Sequence, residues 1–167
     1  DHARPVLIRC GALGPNLPAR DLIVSPQHRI LVGEAGQLQQ AFASPALAPA
    51  KSLTGLPGIR HMKGKDRITW IHFAFDRHEI VSANGCLTES LLLGPMVVNG
   101  LPAAERHRLF DLYAMAPRPF AALNGPPARR CLTVGLARRQ LARHRTERRH
   151  LVAAASLNPT ADLAKAR

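Results

Sequence analysis

The sequence predicts a mostly β body of short strands followed by a basic α-helical tail, and three observations carry that prediction. Apolar residues reach 46% while aromatics reach only 4%, and 14 prolines and 12 glycines punctuate the chain, a mixture suited to short strands and many turns. Short apolar runs bounded by Gly, Pro, Asn and Asp recur through the first hundred positions. The charge is divided unevenly. Residues 1–102 hold ten Lys/Arg against seven Asp/Glu, a net of +3, whereas residues 103–167 hold thirteen against four, a net of +9.

Taken in order, residues 4–10 read as a strand and 11–21 as a turn-rich loop. Residues 22–32 give two short strands around Ser25-Pro26-Gln27-His28, because proline cannot donate to a ladder and serine favours the turn. Residues 33–50, with Pro45 and Pro49 among small residues, predict irregular structure, and 53–66 carry further turn signals. The clearest strand pattern is 67–76, where Ile68, Trp70, His72 and Ala74 alternate with Thr69, Ile71, Phe73 and Phe75. Two apolar faces predict an interior strand. Residues 78–85 form another strand ending in the hairpin dipeptide Asn84-Gly85.

The character changes after Pro95, which divides the chain into a β domain over 1–95 and a basic helical tail over 96–167. Residues 103–116 are helix-like. A longer helix follows Thr133, whose hydroxyl can cap it. Val134, Ala137 and Leu141 fall at i, i+3 and i+7, an apolar stripe beside an arginine-rich face.

Several function classes are disfavoured. Cys10, Cys86 and Cys131 are widely spaced and odd in number, so neither a disulfide framework nor a structural zinc site is supported. Cys10 and Cys86 read as small core residues. His72 and His78, with Asp76 and His61 near them, suggest a metal set, but an i, i+6 pair on one strand is about 20 Å apart when extended. No metal and no cofactor are expected. No apolar run is long enough for a spanning helix, so no membrane span is expected.

Three stretches in order, "RPVLIRCGALG", "LPARDLIVSPQHRILV" and "ITWIHFAFDRHEIVSANGCLTES", resemble the Hedgehog/intein (Hint) domain family over residues 4–90, most closely its bacterial branch. Residues 103–145 are similar to the tail that follows that version. The resemblance implies a flat horseshoe of strands, here a partial one, and an autoprocessing chemistry. A cysteine thiolate attacks the preceding carbonyl, an amide becomes a thioester, and a second nucleophile resolves it. Ser25-Pro26-Gln27-His28 matches the family's Thr/Ser-x-x-His motif. Its hydroxyl holds the scissile peptide and its histidine hands a proton or hydrogen bond to the departing nitrogen. By the same resemblance His78 is the strand histidine of a later block, and His72 stands where many inteins use an Asp or Cys.

Two departures follow from the same comparison. Glu89-Ser90 stand where inteins carry His-Asn, so splicing is not expected, and Glu89→Ala is expected to do little. No Cys followed by a hydrophobic-Gly-Thr pattern occurs, so the chain reads as a Hint domain without its N-terminal cysteine block, inactive alone. Its partner would be that missing part of its own precursor, and open strand edges predict marginal stability. Family resemblance implies a secreted precursor, with the cytoplasm as the alternative. The rival reading is a module binding nucleic acid or another polyanion through the arginine-rich residues 129–149. No aromatic is interleaved with those arginines, which weakens it.

Overall fold

The computed structural model describes residues 4–64, 68–113 and 121–157, with side chains as far as residue 150. The chain lays down β1 (Val6–Ile8), β2 (Leu22–Val24), β3 (Arg29–Val32), β4 (Ala46–Pro49), α1 (Ala50–Leu53), β5 (Ile59–His61), β6 (Ile80–Ala83) and β7 (Cys86–Glu89), then α2 (Pro95–Asn99), α3 (Ala103–Leu112) and α4 (Val134–Leu157). The strands make two antiparallel sheets, β2-β1-β5 and β4-β3-β7-β6. Val6 and Ile8 of the first sheet and Ile30 and Val32 of the second share one buried core, into which Leu132, Ala137 and Leu141 also pack. The basic helix is thus seated on the sheets along part of its predicted stripe, and Thr133 caps it by accepting the Leu136 N–H at 3.2 Å. Among the described residues no helix is long and apolar enough to cross a membrane.

The β6–β7 hairpin follows from its turn. Asn84 and Gly85 both adopt positive φ, 51° and 82°, the backbone that a two-residue turn between right-twisted strands requires. Asn84 then ties the hairpin to the loop that enters β2, its carbonyl accepting the Ala19 N–H at 2.7 Å and its amide donating to Asp21 O at 3.1 Å.

The β3–β7 seam is built differently. Its ladder has one pair, Ile30↔Thr88. On one side of that pair the Gln37 amide replaces the backbone bonds: Nε2 donates to Leu31 O at 2.6 Å and to Leu87 O at 3.0 Å, and Oε1 accepts the Leu87 N–H. On the other side the Glu89 carboxylate accepts the Arg29 N–H at 2.9 Å. Gln37 is fully buried, and its loop leaves β3 at Gly33, whose φ is +78°. An added Cβ there would lie 2.5 Å from Ser44 O, so only glycine fits.

Four expectations are corrected. Residues 46–49, expected to be irregular, form β4, because complete burial against β3 and a bridge from Leu47 to Cys131 outweigh the poor strand propensity of Ala and Pro. The turn-rich 53–66 contains β5, which pairs with β1 through Ile59↔Ile8. The stretch read as an interior strand is the reverse: residues 68–75 join no ladder and lie on the surface, Ile71 at 77% and Phe73 at 69% exposure. Alternation reports a chain suited to a sheet, not the presence of a neighbouring strand. Cys10 is likewise exposed rather than core, because the chain has already turned away from β1 there, its N–H donating to Asp21 Oδ1 at 2.8 Å.

The seam gives a direct test. A buried backbone group left without a partner costs about 1–3 kcal/mol, so Gln37→Ala, which orphans three, should lower stability by about 3 kcal/mol or more in urea unfolding. A loss below about 1 kcal/mol would show that water or relaxation closes the seam instead.

Candidate functional site

The Ser25–His28 turn is fixed from both sides. The His28 N–H is shared between Ser25 O at 3.1 Å and Ser25 Oγ at 3.2 Å, closing the turn that Pro26 pre-bends. The start of α1 docks on it, with Ala50 N–H donating to His28 O at 2.8 Å and Lys51 N–H to Pro26 O at 3.0 Å. The turn therefore holds its side chains at the mouth of β3 with little freedom.

That mouth opens on a cavity of about 520 Å³ lined by Ser25, His28, His72, Glu89 and Ser90 on its polar side. Leu91, Val97 and Leu101, around α2, supply an apolar wall. A mostly apolar cavity with a few convergent polar groups is the ordinary form of a reaction site. Three of the residues expected from the sequence, Ser25, His28 and His72, thus meet in one place, although they come from a turn and from the surface segment 68–75.

His78, the fourth, does not reach the cavity. Its side chain is wholly buried behind β7, where Nδ1 accepts the Ala128 N–H at 2.9 Å. That bond fixes the tautomer: the ring proton is on Nε2, which faces Glu89 Oε2 at 3.3 Å. Glu89 is what the sequence reading passed over. It is 6% exposed, holds the Arg29 N–H on Oε1, and has the Arg29 guanidinium 3.4 Å from Oε2. The one signal available was that Glu89 is the only charged residue between Glu79 and Glu105. Its carboxylate joins β7 to β3 at the edge of the cavity, a structural place that the expectation about Glu89→Ala did not include.

Electrostatics set the protonation of His28. Burial, then the neighbouring His72, then Arg29, push its pKa from 6.5 down to about 4. At neutral pH it is an uncharged imidazole whose conjugate acid is strong. The thiols are silent by comparison. Burial pushes Cys86 up to about 11. Cys131 is also raised, mainly by burial and further by Glu89, against an opposing pull from Arg29. Among the described residues no cysteine lines the cavity. Nor does any group of three His, Cys, Asp or Glu among them have the geometry to hold a metal ion.

The arginine-rich segment is partly committed to the fold. Arg138 and Arg145 donate to the carbonyls of Lys51 and Gly55, Arg129 pairs with Glu34, and Arg143 pairs with Glu147.

Comparison with known proteins gives one match. The family model described as "Hint domain" matches residues 1–95. No curated protein and no solved structure matches the chain.

The depressed pKa of His28 makes two predictions. Between about 4 and 6.5 the unfolded chain binds the proton that the folded chain refuses, so the contribution of His28 is fully present above pH 6.5 and is withdrawn as pH falls toward 4. Urea midpoints should fall between pH 7 and pH 4.5, and His28→Asn should remove part of that slope. In an NMR titration His28 should stay neutral down to about pH 4, and His72→Ala should raise its pKa by removing a neighbour whose electrostatic interaction lowers it. A His28 titrating near 6.5 would contradict the burial and charge described here.

Proposed function

The chain belongs to the Hint domain family, and from that premise we propose that it carries the acid–base half of an autoprocessing centre. The observation that carries this reading is the meeting of Ser25, His28 and His72 in one cavity with a neutral His28. In this reading a cysteine at the scissile peptide attacks the preceding carbonyl, and the amide becomes a thioester. Neutral His28 takes the thiol proton and hands it to the departing nitrogen. A conjugate acid with a pKa of about 4 suits that delivery, because an amide nitrogen is a poor base. The Ser25 hydroxyl steadies the scissile peptide, and His72 acts in the first step by keeping His28 uncharged.

The thiol arrives on another segment. The surface stretch 68–75 is the place for it: apolar, alternating, and bonded on one edge where Leu91 N–H donates to Phe73 O at 2.7 Å. We place the cysteine block of the precursor as an extended strand along the other edge, which brings it beside His72 and completes the family's horseshoe. Without that block the chain would be inactive.

The experiment is thiol-induced cleavage of the precursor expressed from its complete reading frame, followed on a gel. His28→Ala should lower release by about 10²–10⁴-fold, the usual loss of a positioned acid–base group. Ser25→Ala should lower it about two- to twelve-fold, the worth of one neutral hydrogen bond, and Ser25→Thr should be tolerated. A folded His28→Ala precursor that cleaves at the normal rate would remove the carrying observation. Phe73→Asp should separate docking from stability: it should shift the isolated chain by no more than about 0.5 kcal/mol, as surface changes do, yet block processing of the precursor.

A further inference from the structure

We infer that Glu89 is the base that activates the nucleophile resolving the acyl intermediate, and that His78 positions it; this rests on the autoprocessing reading of the cavity. Two histidines were expected to do chemistry from this side of the fold, and the geometry gives one of those roles to a carboxylate. His78 cannot touch a substrate. Its side chain is wholly buried, its Nδ1 is occupied by the Ala128 N–H, and its Nε2 makes no hydrogen bond among the described residues but lies 3.3 Å from Glu89 Oε2. A buried ring with its proton held toward a carboxylate orients that carboxylate. It does not act in its place.

Glu89 has what His78 lacks. It lines the cavity together with Ser25, His28 and His72. A carboxylate accepts about four hydrogen bonds. The Arg29 N–H uses Oε1 once, while the Arg29 guanidinium and His78 Nε2 both face Oε2. Acceptor capacity therefore remains on Oε1, in a side chain that cannot rotate away without opening the β3–β7 seam. A carboxylate serving only as a strut would not need to border a cavity next to two imidazoles.

The step balances with water as nucleophile. Water oxygen bonds to the thioester carbonyl carbon while Glu89 takes one of its protons. The tetrahedral adduct collapses, the C–S bond breaks, and the electron pair leaves on sulfur. The proton held by Glu89 passes to that thiolate. Thioester and water become carboxylic acid and thiol, and Glu89 is restored.

The test compares two nucleophiles on the complete precursor: water alone, and added dithiothreitol, which brings its own thiolate and needs no base. Glu89→Gln should lower water-driven release by about 10²–10⁴-fold and thiol-driven release by far less. Glu89→Asp should recover part of the water-driven rate, and His78→Gln should show the same split to a smaller degree. Urea midpoints for each variant report the fold separately. If Glu89→Gln does not fold, Glu89→Asp carries the same comparison. Equal losses with both nucleophiles, or an unchanged water-driven rate, overturn the role of Glu89 and leave the autoprocessing reading standing. A wild-type precursor that releases nothing even with thiol overturns that reading instead, and this role with it.

Discussion

The fold depends on a seam that the backbone closes at only one point. β3 and β7 share the single pair Ile30↔Thr88, and the positions on either side are joined by a buried carboxamide and a buried carboxylate. Buried backbone groups need partners, so these two side chains stand in for missing ladder bonds. The consequence reaches the cavity directly. Arg29 follows His28, and holding its N–H on Glu89 fixes where β3 begins and hence where the Ser25–His28 turn points. The carboxylate that closes the seam is also a wall of the cavity, which couples the stability of the second sheet to the geometry of the site.

Burial governs the chemistry available there. His28 is kept uncharged by its surroundings first and by His72 and Arg29 second, so the site combines a neutral imidazole with a carboxylate held by an arginine and by a histidine locked in one tautomer. Such an arrangement can move protons. The buried thiol of Cys86 and the raised thiol of Cys131 lie outside it, so the described part of the cavity offers acid–base groups and no nucleophilic sulfur. Beside it lies the exposed apolar segment 68–75.

That segment is energetically conspicuous. Trp70, Ile71, Phe73 and Phe75 place four large exposed side chains within six residues of a segment whose own His72 lines the cavity. Scattered exposed apolar residues are normal, whereas four large ones within one short segment are unusual. A second, smaller apolar cluster around Leu93, Val98 and Leu123 includes Leu91 and Tyr113, which donate hydrogen bonds to the carbonyls of Phe73 and Phe75.

The sequence alone determined what local physics determines. The Ser-Pro break between β2 and β3, the Asn84-Gly85 turn, the Thr133 cap and the buried Ala137–Leu141 stripe all arise from backbone preferences or side-chain spacing within a few residues. Ser25, His28 and His72 were singled out by short motifs and their order along the chain, and the structure sets all three on one cavity. The tertiary structure decided the rest, because those features depend on distant partners. β4 exists through contact with β3 and Cys131, although alanine and proline argue against a strand. The 68–75 pattern is suited to a sheet and lies exposed, since a ladder needs a second strand that alternation cannot report. Glu89 takes its place from Arg29, sixty residues away, and from His78, whose tautomer is set by a backbone N–H fifty residues further on. No window of sequence contains those distances, which is why a position that read as a departure from a motif became the joint between the sheet and its cavity.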